Sequence, residues 1–433
     1  MSKKPHYFLS KDVVLRNETF GGLILCKNGK RYYLNKKHYL TLLGILGRNR
    51  ADIFNDIRKI DEKSNAGEEK EIINESLALN ILGTKKSNGK LIENKLIGAK
   101  TLTFPKIVYL EVTNMCNLNC KHCYSEAGEK KGAELSTTHI KQLITDLAKH
   151  GAEFLSIGGG EPLLRPDLNE IIKYSINSGI EVELVTNGTL IDREKIKELK
   201  KTGLKYIQVS LDGFNSVTYD LIRGKDYFDK VVSTIKKLSK NFIVTVSTVV
   251  TKINYKNIEK IVDLSEKSGA KYFRVVKLMS AGRAKKAQLF VSEQEIHNIL
   301  NKLKKISLSK RKIAIEFDEN LLQPKRKAIP WLHAGIYGCS AGRSTCNIDS
   351  IGNVYPCSFL QSKELLCGNI KEKQLYTIWV DSEILQQFRN ITSVGAPCKT
   401  CNWLNTCLGG CRADAYSKTG KINGGNKNCG VKK

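Results

Sequence analysis

The stretch IVYLEVTNMCNLNCKHCYSEAG, Ile107 to Gly128, decides how this chain is read. Ile107 to Leu110 form an apolar, β-type run, so Cys116, Cys120 and Cys123 crowd onto the loop that follows a strand. Three thiolates at this spacing suit an iron–sulfur cluster, and a four-iron cluster held by three cysteines keeps one iron open for chemistry. A zinc knuckle or a redox thiol pair is the alternative. Zinc would want a fourth ligand close by, and His122 is the only candidate in the loop.

Outward from that loop, about Ile107 to Phe317, strand-like and amphipathic runs alternate. IVYLEV, EFLSIGG, EVELVTN, YIQVSLDG, FIVTVSTVV, YFRVVKL and KIAIEFD read as strands, and runs such as THIKQLITDLAKH and FDKVVSTIKKLSK read as the helices between them. Gly151, Gly179, Gly203 and Gly269 stand where each helix should stop. Repeated βα units demand a parallel sheet covered by helices. The expected fold class is α/β: a partial (β/α)6 barrel over residues 106–325, with chemistry at the C-terminal ends of its strands. A flat doubly wound sheet is the alternative. Residues 1–85, with DVVLRNET, GGLILCKN and GKRYYLN as short strands before charge-rich helix, read as a separate winged-helix-like module. Residues 86–105 read as a linker, and 326–433 as a cysteine-dense, Gly-rich tail.

At 433 residues the chain has room for two or three domains. No apolar run approaches the length of a membrane span, and the start, MSKKPHYFLSKDVV, lacks a signal-peptide core, so the expected location is cytoplasmic. In that reducing compartment, 13 cysteines are better explained by metal than by disulfides. The net charge of +28 is spread as KK and EK pairs on helix faces, with no RNA-binding signature or finger spacing. Nucleic acid is therefore not an expected partner, whereas an acidic peptide would suit such a surface.

Beyond the loop, the second strand runs into GGGEPLLRPDL, placing Gly159, Gly160 and Glu161 at a turn where a ligand can approach backbone. The third strand ends at Thr186-Asn187-Gly188 and the fourth at Ser210-Leu211-Asp212-Gly213, so these polar groups ring the same barrel mouth. CxxxCxxC after the first strand, with GGEP after the second, resembles the radical S-adenosylmethionine (SAM) enzymes over residues 106–320. The resemblance implies that Cys116, Cys120 and Cys123 bind a 4Fe–4S cluster whose open iron takes the amino and carboxylate groups of SAM. It assigns Gly159, Gly160 and Glu161 to the methionine amino group and, by position, Asn187, Ser210 and Arg223 to further SAM contacts. His122 falls at the motif's variable position and needs no metal role. The implied activity is that of an oxidoreductase: one electron cleaves SAM to a 5′-deoxyadenosyl radical, which abstracts a substrate hydrogen.

The tail spacing, Cys339-x6-Cys346-x10-Cys357 and then Cys398-x2-Cys401-x5-Cys407-x3-Cys411-x17-Cys429, resembles the SPASM extension with two auxiliary 4Fe–4S clusters. The resemblance assigns Cys339, Cys346, Cys357 and Cys411 to one and Cys398, Cys401, Cys407 and Cys429 to the other. That makes three clusters in all, with the auxiliary pair fully capped and suited to electron transfer. Cys26 and Cys367 are left over as buried small residues. Ser358 follows Cys357 where sulfatase-maturing relatives carry an aspartate base, and no other side chain near the mouth stands out as an acid or base.

The first module resembles the leader-peptide recognition element of ribosomal peptide maturation systems, which implies a leader added as a strand to the sheet edge. The expected partners are a precursor peptide with its leader and an electron donor such as flavodoxin or ferredoxin, with no membrane. The expected function is hydrogen abstraction from that peptide and a thioether cross-link of sactipeptide or ranthipeptide type. The alternatives are epimerisation or carbon–carbon cross-linking, action on a small molecule or sulfatase, and a cluster-sensing DNA regulator.

Overall fold

The computed structural model describes residues 7–11, 13–18, 21–26, 31–46, 66–97, 101–224, 226–309, 311–317 and 338–426. Cys429 and the boundary expected at 325/326 lie outside them. The described residues divide into two compact units, the first comprising those within 1–106 and 149–153 and the second the remainder.

In the first unit, β1 (Phe8–Leu9) pairs with β5 (Leu82–Gly83), beside a four-stranded sheet. That sheet joins β2 (Val13–Glu18), β3 (Gly21–Cys26) and β4 (Arg31–Asn35) in antiparallel order, and β6 (Lys90–Ile92) lies parallel to β2. β6 comes from the stretch expected to be a linker, so residues 86–105 contribute a strand to this unit. Helices Lys36–Ile45 and Ala66–Ala78 cover a core that includes Leu15, Ile24, Leu42 and Ile81. Arg16 is fully buried; its Nε donates to Glu18 at 2.7 Å and its Nη1 to the Gly151 carbonyl at 2.6 Å. Glu18 also accepts the Thr103 amide at 2.7 Å, so the buried charges are paired and hydrogen-bonded.

Among the described residues, the second unit is built on ten strands. β7 (Ile107–Thr113), β8 (Phe154–Gly159), β9 (Glu181–Thr186), β10 (Tyr206–Ser210), β11 (Ile243–Val250), β12 (Tyr272–Lys277) and β13 (Ala314–Phe317) are parallel and adjacent in chain order. A doubly wound sheet would reverse its order within such a run, and these seven strands do not. Beyond β7 come β14 (Thr345–Ile348), parallel to it, then β15 (Asn353–Tyr355) and β16 (Gly368–Asn369), both antiparallel. The connecting helices bury one stripe each, such as Val231, Thr234, Ile235 and Leu238 in Phe228–Leu238. The four glycines expected to stop helices have φ between +76° and +87°, the left-handed geometry of a helix terminus. Among the described residues, no helix is long and apolar enough to cross a membrane.

The parallel strands line one cavity of about 780 Å³, in the main through alternate residues such as Tyr109 and Glu111 on β7, Gln208 and Ser210 on β10, and Arg274 and Val276 on β12. Strand side chains alternate faces, so a seven-stranded sheet that presents one face to a single cavity must curl around it. Asn254 pins the strand ends beneath the mouth: its Nδ2 donates to the carbonyls of Asp212 (3.0 Å) and Val249 (2.9 Å), and its Oδ1 accepts the Thr251 amide (2.8 Å). With about 1 kcal/mol net for each bond, Asn254→Ala should lower unfolding free energy by about 3 kcal/mol, read from the denaturant midpoint.

Candidate active site

The cysteine loop leaves β7 through an irregularity: Glu111 pairs with Gly158 and Thr113 with Gly159, leaving Val112 as an extra residue. Such a bulge re-aims the chain beside a site. The Arg165 guanidinium satisfies the freed Val112 carbonyl at 2.8 Å. The loop is then closed by backbone, with Cys116 N donating to Gly128 O and Gly128 N to Asn114 O, both at 2.9 Å. Arg283 clamps its far side, donating to the carbonyls of Cys120 (2.9 Å) and Ala127 (2.8 Å).

Within this frame the three sulfurs are close enough to feel each other's charge. Burial pushes the Cys120 thiol up to about 11, and the Arg223 guanidinium, 3.9 Å from its sulfur, pulls the other way. Asn187 Nδ2 lies 4.0 Å from Cys116 Sγ and donates to Asn117 Oδ1 at 2.9 Å. Asn187, Ser210 and Arg223 all line the cavity, together with Cys116, Cys120 and Cys123.

Gly159 and Gly160 also line the cavity, but close chain contact is what demands glycine. A Cβ at Gly159 would sit 2.3 Å from the Thr113 carbonyl oxygen, and one at Gly160 2.1 Å from that of Met115. Glu161 behaves differently from its neighbours. It is fully buried and not among the cavity-lining residues; its carboxylate accepts from Thr186 Oγ1 (2.7 Å), Asn187 N (2.8 Å) and Leu163 N (3.2 Å). Burial raises it to about 7 against those hydrogen bonds. It braces the turn on β9, while the turn's glycines face the cavity.

Asp212 is the electrostatic anchor. Its buried carboxylate receives Arg223 Nε at 2.5 Å, His122 Nε2 at 3.1 Å and the Val249 amide at 2.7 Å. Burial alone would raise it, yet Arg223 and His122 hold it at about 2. The only sequence signal for this role was its place in the SLDG strand end.

In the tail, the structure brings Cys339, Cys357 and Cys411 to the same cavity. The Cys411 and Cys339 thiols are hydrogen-bonded, which together with burial raises Cys411, and Cys357 adds its charge. Cys346 is not placed with them. It is fully buried on β14, and its charged neighbours are Cys367 and Arg389. Three of the four cysteines expected for this cluster thus border the cavity. Cys398, Cys401 and Cys407 lie together on a short turn and helix, Cys398 Sγ accepting the Asn426 amide at 3.3 Å. Among the described residues, no group of three His, Cys, Asp or Glu side chains closes on a single-ion site.

These donors fit iron–sulfur and SAM binding: sulfur ligands on loops, a guanidinium to offset thiolate charge, a backbone shelf at Gly159 and Gly160, and a cavity of ligand size. Cys116, Cys120 and Cys123 would hold the SAM-binding cluster. The SPASM domain supplies further cysteines.

Comparison with known proteins agrees. Residues 110–265 match the model of the radical SAM superfamily, and residues 339–402 match the SPASM iron–sulfur cluster-binding domain. The AdoMet-dependent heme synthase of Methanosarcina barkeri is 34% identical over 331 residues, 73% of this chain and 93% of that protein. The mycofactocin maturase MftC of Mycolicibacterium smegmatis is 30% identical over 76% of this chain and 83% of its own. In fold, the crystal structure of Streptococcus suis SuiB bound to precursor peptide SuiA aligns with TM-score 0.76 at 21% identity, over 98% of this chain and 100% of that one. The fold and site thus define an iron–sulfur enzyme of the radical type. The chain belongs to the radical SAM superfamily and carries a SPASM domain, a pairing that implies 4Fe–4S clusters and SAM.

Because Asp212 sits at about 2 in the folded state, below its ordinary 3.8, its stabilising contribution is complete above about pH 4 and fades as pH falls through about 2. Arg223→Ala leaves that carboxylate buried without its main partner, so stability at pH 7 should fall by about 3–5 kcal/mol. The deficit should narrow below about pH 4 as the carboxyl protonates. Denaturant unfolding at both pH values reads this out.

Proposed function

We propose that this enzyme matures a ribosomally made peptide, binding its leader on the winged-helix-like module of residues 1–85 and installing a thioether between a cysteine sulfur and a carbon. The observation that carries the reading is one cavity bordered by the Cys116, Cys120 and Cys123 loop and by the Cys339, Cys357 and Cys411 thiols. When bound at the first set, SAM and its cluster supply the radical that removes a hydrogen atom. A four-iron cluster on the second set, held by Cys339, Cys357 and Cys411, would leave one iron for a further ligand. That position suits a substrate thiolate, which favours a thioether over epimerisation.

The greater identity to a heme synthase favours a second reading, a tetrapyrrole substrate. Two facts support the peptide. The mycofactocin maturase is a comparably similar relative, and the fold likeness to SuiB, whose structure contains its precursor peptide, extends over 98% of this chain. The +28 charge would favour an acidic leader. Gly159, Gly160, Glu161, Asn187, Ser210 and Arg223 serve SAM in this proposal, with Glu161 acting through the turn it braces. A flavodoxin or ferredoxin in the cytoplasm supplies the electron.

Co-expression with a short cysteine-containing peptide encoded beside the gene should give a product lighter by two hydrogens per bridge and resistant to thiol alkylation. Unchanged mass with inverted residues would establish epimerisation, and consumption of an iron coproporphyrin would overturn the peptide reading. Anaerobically prepared protein should hold about twelve irons, four per cluster, and Cys116→Ala/Cys120→Ala/Cys123→Ala about eight.

A further inference from the structure

The cavity contains an acid–base group that the SAM and cluster machinery does not use. Glu111 projects from β7 into it and is 4% exposed. Its Oε1 accepts Gln361 Nε2 at 2.5 Å and Asn347 Nδ2 at 3.4 Å, and Tyr124 hydrogen-bonds the same carboxyl. Asn347 Oδ1 in turn accepts Ser358 Oγ at 2.9 Å. Glu111, Tyr124, Asn347 and Ser358 all line the cavity, which the two cysteine sets border. Ser358 is the position at which the sequence lacked a carboxylate base, and a carboxylate reaches the same network from the opposite strand.

We propose that Glu111 is a catalytic base that takes a proton from the substrate in this cavity. The proposal rests on the reading that a peptide group is modified there. A thiol, amine, hydroxyl or amide X–H of the substrate breaks heterolytically, its electron pair stays on X, and the proton passes to the Glu111 carboxylate. No redox partner is needed for that step. The donors around Glu111 are two neutral amides and the Tyr124 phenol, so the carboxyl is free to change charge without breaking an ion pair. Burial raises it to about 7, where an acceptor works near neutral pH. The charged and titratable groups around it are Asp349, Lys131, Tyr124 and Tyr355.

Vibrational spectroscopy of anaerobically prepared, full-length protein tests the group without turnover. The neutral-carboxyl stretch that disappears in Glu111→Gln should titrate with a midpoint near 7. A Glu111 that stays ionised from about pH 5 to about pH 9 overturns the proposal. In turnover, Glu111→Gln should lose about 10²- to 10⁴-fold in peptide product while still forming 5′-deoxyadenosine, and Glu111→Asp should recover part of the product. Loss of product and 5′-deoxyadenosine in equal measure, or unchanged product, refutes it. If the wild type cleaves SAM yet modifies no peptide, the peptide reading fails, and the titration still decides whether Glu111 exchanges a proton.

Discussion

The buried carboxylate of Asp212 is the constraint on which the site depends. One charge fixes four segments: the end of β10 that carries it, the Arg223 helix, the cysteine loop through His122, and β11 through the Val249 amide. Arg223 then passes its remaining charge to Cys120. A loop of thiols and polar residues has little apolar surface with which to hold its own shape. Its order is borrowed from a paired charge in a dry setting, where one cation and one imidazole offset the desolvation of the carboxylate.

The second constraint is the register of β14 on β7, which sets Cys346 beside Val108 and Asn347 beside Tyr109. Alternation along β14 turns Cys346 toward Cys367 and Arg389, away from the cavity, and Asn347 into it. The same pairing that turns Cys346 from the cavity therefore delivers the amide that holds Glu111. A shift of one residue would exchange the two side chains' faces.

Local periodicity made most of the fold legible. Strands, helix stripes and terminating glycines are short-range properties, and the barrel order follows from their repetition. The thiols of the first loop were equally legible, because all three ligands lie within eight residues. The placement of the tail's thiols was not. Cys346 sits at a plausible spacing, and only pairing with a strand more than 230 residues earlier shows where its sulfur points. Glu111 was hidden for a related reason: it stood in the decisive stretch as one polar residue in a strand, and its partners Asn347 and Gln361 lie 236 and 250 residues away. Arg16 on β2 reads as surface until its carboxylate and carbonyl partners are known.

Three buried carboxyls at or beside the cavity divide by what they are bonded to. Asp212 faces the Arg223 cation and the His122 imidazole and is held at about 2, fixed in charge across any working pH. Glu161 and Glu111 meet only neutral donors at hydrogen-bond distance, and burial lifts both to about 7. Between those two, access decides. Glu161 is enclosed by Thr186, Asn187 and Leu163 and does not reach the cavity, so a change in its charge would have no substrate proton to follow. Glu111 combines the neutral environment with a place on the cavity wall. Ion pairing suits a carboxylate to structure, and amide bonding with access suits it to proton transfer.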